Sequence, residues 1–135
     1  MSEQHSASDQ PASARPASPD LDPAVSARLK RDSDGLVAAI IQQHDTREVL
    51  MLGWMDEEAL HLTLSTGRVT FWSRSRQELW RKGDTSGHIQ LVRRVSLDCD
   101  GDALLIEVEQ VGAACHTGTR TCFEDRQLQA VQGRR

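Results

Sequence analysis

The stretch GLVAAIIQQHDTREVLMLGW, residues 35–54, holds two apolar runs separated by a polar cluster. The first run covers residues 35–42, and the second covers residues 48–54, after the sequence HDTR. Short apolar runs bounded by turn-forming residues are typical of buried strands. This stretch therefore predicts a β-hairpin at the start of the folded domain.

A helix is predicted directly after the hairpin. Asp56 has the character of an N-cap, the apolar residues that follow it recur at helical spacing, and Gly67 is placed to end the helix. Three further runs, 68–73, 91–97 and 103–111, have the pattern of strands. Strands around one main helix predict a small, strand-rich domain of the α+β class.

The two ends of the chain differ in composition from its middle. Residues 1–20 are mostly Ser, Ala, Pro, Gln and Asp, which bury too little apolar surface to offset the entropy of ordering. Residues 21–31 have the pattern of a short amphipathic turn on the domain. We expect a disordered or weakly ordered tail over 1–33, the folded domain over 34–128 and a C-terminal tail over 129–135.

Charge and apolar content exclude several classes of function. The 135-residue chain has a formal charge of −4, without the basic excess that nucleic-acid binding requires. It contains no apolar stretch long enough for a membrane span and no signal-peptide core at its N-terminus. A cytoplasmic location and no membrane partner are therefore expected. Three cysteines, an odd number, favour reduced thiols that bind a metal or act in catalysis.

The three cysteines, Cys99, Cys115 and Cys122, lie in polar, glycine-containing surroundings. Three thiolates are one ligand short of a closed tetrahedral zinc site, and catalytic zinc needs an open position for water. They therefore predict metal-assisted hydrolysis. His116 fits a general acid or base, because histidine ordinarily titrates near neutrality. Alternatively, His116 closes a structural Cys₃His site, or the cysteines are simply buried free thiols.

The sequence DCDGD, residues 98–102, places three carboxylates at alternate positions. If the chain is extended there, Asp98, Asp100 and Asp102 share one face and Cys99 projects from the other. Carboxylates at this spacing repel one another unless a cation such as magnesium or calcium lies between them. The alternative is a solvated acidic turn with Gly101 at the bend. The residues do not match a calcium EF-hand loop.

The third stretch, WRKGDTSGH, covers residues 80–88. Its glycines, hydroxyl groups and Lys82 suit a phosphate-binding loop, although the order of residues is not that of a Walker A motif. Arg74 and Arg76 add positive charge shortly before it. On its own, however, a stretch of this composition is more often an ordinary turn, and a lone histidine such as His88 is more often structural than catalytic.

Five motifs together make a specific resemblance. They are VLML at 49–52, FWSRSR at 71–76, LWRKGDTSGHIQ at 79–90, DCDGD at 98–102 and ACHTG at 114–118. In this order they closely resemble the phosphoribosyl-AMP cyclohydrolase family, over residues 35–123. The resemblance implies hydrolytic opening of the adenine ring of 1-(5-phosphoribosyl)-AMP at its N1–C6 bond. It also implies a zinc-activated water as the nucleophile and a reaction that is the third step of L-histidine biosynthesis.

The resemblance also implies ligands and an assembly. One zinc ion per subunit is expected on Cys99, Cys115 and Cys122, with Cys99 coming from the partner subunit of an intertwined homodimer. Magnesium is expected on the three aspartates of residues 98–102. The expected catalytic residues are His116 and His88, and those expected to bind the phosphoribosyl nucleotide are Arg74, Lys82, Thr85 and Ser86.

Two other functions remain as alternatives. A non-enzymatic zinc module would use Cys99, Cys115, His116 and Cys122 as a structural site, but it gives no reason for three aspartates beside the metal. A nucleobase deaminase would need a His/Cys-Glu motif and a Pro-Cys-x-x-Cys pair, and the sequence contains neither.

Overall fold

The computed structural model describes residues 15–135, and within these residues it has two sheets and two helices. In chain order the elements are α1 (Pro23–Ser26), β1 (Val37–Gln43), β2 (Val49–Met55), α2 (Glu57–Thr66), β3 (Thr70–Ser73), β4 (Glu78–Arg81), β5 (Gln90–Leu97) and β6 (Ala103–Gln110). This arrangement confirms the predicted α+β class. Neither described helix has the length and apolar character needed to span a membrane.

The larger sheet has four strands in the order β2-β1-β6-β5. Two antiparallel hairpins, β1/β2 and β5/β6, are joined by parallel pairing of β1 with β6, in which Ile40 lies beside Leu105. The predicted hairpin over residues 35–54 is therefore confirmed, with Ile40 opposite Leu52. Because β1 is a central strand, its alternate residues, including Ala39 and Ile41, are fully buried.

Helix α2 begins and ends as the sequence predicts. The side chain of Asp56 accepts a hydrogen bond from the backbone N–H of Ala59 at 2.7 Å. Gly67 closes the helix with a φ of +75°, a conformation that favours glycine. The helix buries Ala59 and Leu60 in the core that it shares with the four-stranded sheet and β3.

The second sheet consists of β3 and β4, and β4 was not predicted. Its four residues, ELWR, lack an apolar alternation, and Leu79 is 40% exposed. What defines the strand is its pairing with β3, in which Phe71 lies opposite Trp80 with ring centroids 5.4 Å apart. A tertiary contact of this kind leaves no local pattern in the sequence.

The segment before β1 packs on the domain from Arg15 onward, whereas the sequence predicts that the folded part begins near Asp34. Its backbone N–H at Arg15 donates to the carbonyl of Asp34 at 2.8 Å, and the Arg15 side chain pairs with Asp56 at 3.1 Å. Leu21 is buried in the core, and α1 lies within the predicted amphipathic turn. Most anchors of residues 15–20 are polar contacts, which apolar periodicity does not detect. Residues 1–14, the rest of the predicted tail, lie outside the described residues.

Candidate active site

A cavity of about 460 Å³ lies between the β4–β5 loop and the chain that follows β6. Six of the predicted site residues line it: Lys82, Thr85, Ser86, His88, Cys115 and His116. The loop can turn back on itself because Gly83 has a φ of +87°, where a Cβ would lie 2.6 Å from the backbone of His88. The structure therefore brings the expected catalytic and phosphate-binding residues to one place.

Residues 112–123, here named the thiol loop, carry Cys115, His116 and Cys122. The backbone N–H of Cys115 donates to Thr119 O at 3.1 Å, so the loop folds back on itself. Its far end is fixed to β2, since the N–H of Cys122 donates to Leu50 O at 2.8 Å. This doubling back places the thiols of Cys115 and Cys122 near enough that each affects the pKa of the other.

The surroundings of Cys115 favour its thiolate. The Thr117 hydroxyl donates to the Cys115 sulfur at 3.1 Å, and chiefly this bond lowers the pKa of Cys115 to about 6. Smaller contributions come from the backbone of Thr117, the hydroxyl of Thr119 and the thiol of Cys122. Burial and the adjacent Cys115 raise the pKa of Cys122. A cation would be needed for both sulfurs to be thiolates at neutral pH.

Lys82 is buried against the thiol loop. Its ammonium donates to Ala114 O at 2.6 Å and lies 5.3 Å from the ring centroid of Trp80. The pKa of Lys82 is lowered, chiefly because the side chain is buried. The charges of Cys122 and Cys115 act in the opposite direction and partly offset this effect. The role of Lys82 in phosphate binding remains a prediction, but its amine is bound next to the cysteines.

The two predicted catalytic histidines differ in exposure. His116 is exposed at the cavity, one residue after the buried Cys115. His88 is partly buried, and its ring lies against Gly112, where a Cβ would be 2.6 Å from the imidazole Cδ2. Gly112 also has a φ of +73°, so both the space and the backbone there favour glycine. His88 is therefore held by packing, whereas His116 is open to solvent.

Residues 98–102, here named the carboxylate turn, are not extended, so the predicted alternation of faces is wrong. The Asp98 side chain accepts hydrogen bonds from the N–H groups of Gly101 at 2.8 Å and Asp102 at 3.1 Å. Gly101 has a φ of +80°, as expected for a bend. The local conformation is thus the acidic turn considered as the alternative, because side-chain capping by Asp98 competes with the extended backbone.

The turn nevertheless gathers the three carboxylates. Asp98, Asp100 and Asp102 each offer an oxygen, and these oxygens all lie within 4.8 Å of one another. Hydrogen bonds with Asp98 and Asp100, and then their charges, raise the pKa of Asp102. Hydrogen bonding of this kind between carboxyl groups requires a shared proton, whose place a cation can take. Their oxygen-only chemistry fits a hard cation such as magnesium.

Cys99 lies exposed on the carboxylate turn. Within residues 15–135 of one chain, the three aspartates are the only group of three or more Cys, His, Asp or Glu side chains close enough to bind one ion. A single chain therefore does not bring Cys99 together with Cys115 and Cys122.

Arg74 lies outside the cavity that holds the histidines. Its guanidinium stacks 4.6 Å from the ring centroid of Trp54, in a neighbouring cavity of about 650 Å³. Arg76 and Trp80 line both cavities and so join them. Thr117, the hydroxyl donor to Cys115, was not predicted as a site residue, because no local pattern distinguishes it from other loop threonines.

Comparison with known proteins identifies the family. A sequence model described as phosphoribosyl-AMP cyclohydrolase matches residues 51–124. The phosphoribosyl-AMP cyclohydrolase of Paenarthrobacter aurescens strain TC1 is 68% identical over 100% of this chain and 99% of its own length. The chain belongs to the phosphoribosyl-AMP cyclohydrolase family. Cyclohydrolases of Bifidobacterium longum strain DJO10A and Streptomyces griseus are 72% and 70% identical, over 87% and 82% of this chain and 91% and 89% of their own lengths.

Membership of the cyclohydrolase family makes the chain a hydrolase of histidine biosynthesis and confirms the resemblance found in the sequence. The matched residues, 51–124, include every predicted site residue, from Arg74 to Cys122. The donor atoms of this cyclohydrolase would suit two kinds of metal ion. Paired thiols beside a buried lysine fit a soft ion, and the exposed carboxylates fit a hard one.

Proposed function

We propose that this cyclohydrolase opens the adenine ring of 1-(5-phosphoribosyl)-AMP with water at the N1–C6 bond, the third step of L-histidine biosynthesis. The observation that carries the proposal is the single cavity in which His88, His116 and Cys115 meet the hydroxyl-bearing β4–β5 loop. Titratable and nucleotide-compatible groups converge there, as the hydrolysis of a phosphorylated purine requires.

Two metals complete the proposed site. Zinc, one ion per subunit, would be held by Cys115 and Cys122 together with Cys99 of the partner subunit. Magnesium would be held by Asp98, Asp100 and Asp102. The chemistry that zinc supplies when bound is the activation of a water molecule as the nucleophile at purine C6.

The chain's own histidines are proposed to transfer the protons. His116, exposed at the cavity, accepts a proton from the attacking water. As the C6–N1 bond breaks, N1 must gain a proton, and protonated His116 can return one to it. The exocyclic amine and the new oxygen both remain on C6. His88, held against Gly112, is the second candidate acid or base and orients the base beside it.

Substrate phosphates are proposed to bind at the rim of the cavity. Thr85 and Ser86 are exposed there on the β4–β5 loop, and their hydroxyls can donate to phosphate oxygens. Arg74, stacked on Trp54, adds positive charge from the adjoining cavity. The sequence predicts Lys82 as a further phosphate ligand, but its ammonium already donates to Ala114 O.

A homodimer with a shared zinc site is proposed because one chain does not unite its three thiols. Two variants, Cys99→Ser and Cys115→Ser, should each be inactive alone. Equal amounts refolded together should recover roughly a quarter of wild-type activity, since about half of the dimers are mixed and each has one intact site. No recovery despite demonstrated subunit exchange would rule out the shared site.

The reaction itself is tested by an ultraviolet assay of the purified protein with 1-(5-phosphoribosyl)-AMP, before and after treatment with a chelator. We expect turnover that is lost with the metal and returns with zinc and magnesium. Metal analysis of the active protein accompanies the assay. Full activity after prolonged chelation and dialysis would contradict the role of the metals, and absence of turnover in zinc-loaded protein would favour the binding-module alternative.

A further inference from the structure

Lys82 has unusual surroundings for a charged side chain. Only 6% of the residue is exposed, whereas lysines are almost always at the surface. The other lysine of the chain, Lys30, lies exposed at the surface. A buried ammonium is costly unless an anion or strong hydrogen bonds compensate its charge. The position of Lys82 therefore calls for a partner.

The hydrogen bond of Lys82 is not an ion pair. Its ammonium donates to the neutral carbonyl of Ala114, at 2.6 Å, and lies near the ring of Trp80. Within residues 15–135, no carboxylate lies within salt-bridge distance of it. The acidic groups whose charge acts on Lys82 are the thiols of Cys122 and Cys115. Ala114 O also ties the ammonium to the residue directly before Cys115.

The proposed zinc ion and its three thiolate ligands have a net charge of −1. Three thiolates carry three negative charges and zinc carries two positive ones, which leaves one negative charge beside the buried Cys115 and the half-buried Cys122. Burial of a net charge is unfavourable, and a nearby opposite charge offsets it. Lys82 supplies one positive charge at this place. Groups outside the ligand set commonly tune a metal in this way.

We infer that Lys82 is the counter-charge of the thiolate zinc site, a positioning residue that strengthens zinc binding rather than a ligand of substrate phosphate. The inference rests on the zinc site of the proposed function. It differs from the prediction that Lys82 binds phosphate, because that role would require the ammonium to leave Ala114 O and the thiols. The two roles affect different measurements: the first changes zinc affinity, and the second changes KM.

The test compares three variants of the full-length zinc protein. Lys82→Met removes the charge at similar length, and Lys82→Gln removes it but keeps a donor for Ala114 O. Arg126→Met is the matched control, because Arg126 also acts on Cys122 and donates to its carbonyl at 3.3 Å, but from an exposed position. Zinc dissociation constants come from competition with a chromophoric chelator, and circular dichroism identifies the variants that are folded.

We expect either folded Lys82 variant to bind zinc about 10- to 100-fold more weakly, the usual effect of losing a group that supports the ligands. Arg126→Met should change the affinity by less than about twofold, because water screens exposed charges. Unchanged zinc affinity with a higher KM would overturn the inference in favour of phosphate binding and leave the proposed function intact. Equal weakening by Arg126→Met would also overturn it. Wild-type protein that binds no zinc would overturn both.

Discussion

The thiol loop and the carboxylate turn both present, on irregular backbone, side chains of the types that bind metals, but the two regions are built differently. The thiol loop is bonded to β2 through Cys122, and Cys115 within it is buried. The carboxylate turn is supported by its own Asp98 and by the N-terminal segment, where the N–H of Lys30 donates to Gly101 O at 2.8 Å. All three of its carboxylates are exposed.

This difference in exposure implies a difference in metal binding. Electrostatic interactions are stronger where water is excluded, so the buried Cys115 and half-buried Cys122, as thiolates, should hold an ion tightly. Exposed carboxylates exchange their ion with water and are screened by salt. Soft sulfur ligands favour zinc, and oxygen ligands favour magnesium. The expected pair is thus a tightly bound zinc ion and a loosely bound magnesium ion.

The largest effect is expected in the thiol loop, at His116. His116→Ala should lower turnover by roughly two to four orders of magnitude, the usual contribution of a positioned general acid or base. Zinc content, measured by metal analysis, should stay the same because the thiols remain. His61→Ala, on helix α2 and away from the cavity, is the control and should leave turnover unchanged. Loss of zinc from His116→Ala would instead support the closed Cys₃His site.

A smaller effect is expected in the carboxylate turn. Asp100→Asn removes one of three charges, so the magnesium concentration for half-maximal turnover should rise roughly tenfold, while saturating magnesium restores the rate. Lower pH should raise this concentration in the wild type as well. Because the pKa of Asp102 is raised, protons compete with magnesium for its carboxylate as the pH falls. A magnesium titration at two pH values measures both effects. A rate that magnesium does not restore would contradict the loose site.

The chemistry of the thiol loop can also be tested without metal. Because the pKa of Cys115 is lowered to about 6, metal-free protein should be mostly Cys115 thiolate at pH 7 and should react faster there than Cys122, whose pKa is raised. As pH falls through 6, alkylation of Cys115 should slow. Thr117→Val removes the main hydroxyl donor, so the pH midpoint should move upward and the rate at pH 7 should fall several-fold.

Mass spectrometry of peptides after iodoacetamide treatment measures each cysteine separately, and a Cys99→Ser background removes the exposed thiol. Thr119→Val is a graded control, since the Thr119 hydroxyl makes a smaller contribution to the pKa of Cys115. An unchanged midpoint in Thr117→Val would show that the hydroxyl does not hold the thiolate.

The sequence predicts those parts of the fold that leave a local pattern in it and misses those that depend on tertiary contacts. The hairpin over residues 35–54 and helix α2 are predicted correctly, because buried strands and helix caps leave local patterns. Strand β4 leaves none, because its pairing with β3 is tertiary. In the carboxylate turn the ligand atoms are predicted to lie together and do so. The backbone conformation that brings them together differs, because side-chain capping by Asp98 outweighs β-propensity.

The candidate site could be predicted as a set of residues but not as an arrangement. Ordered motifs identify Cys115, His116 and the β4–β5 loop as members of one family pattern, and the cavity brings them together. The burial of Lys82 and the hydrogen bond from Thr117 to Cys115 depend on how two loops pack. The spacing of residues in the sequence does not predict that packing. The separation of Cys99 from the other thiols of the same chain agrees with the family resemblance, which expects Cys99 from the partner subunit, but no spacing in the sequence indicates it.

The smallest effect on turnover is expected from the N-terminal segment. Deletion of residues 1–20 removes the ion pair of Arg15 with Asp56 and the bond from Ser18 to Glu58 at 2.6 Å. It removes no residue of the cavity that holds His116, so kcat should stay unchanged. Stability should fall by about 1–3 kcal/mol, because the nearly buried carboxylate of Asp56 loses a charged partner.

Deletion of residues 1–14 is the matched control, since it leaves Arg15 and Ser18 in place. Urea unfolding monitored by tryptophan fluorescence should therefore separate the two truncated proteins, with the shorter deletion the more stable. If the longer deletion lowers kcat, the N-terminal segment acts on the site. The carboxylate turn is then the first place to examine, because Lys30 of the same segment bonds to Gly101 there and no such bond reaches the thiol loop from residues 15–33. A higher magnesium requirement with unchanged zinc content would identify that route.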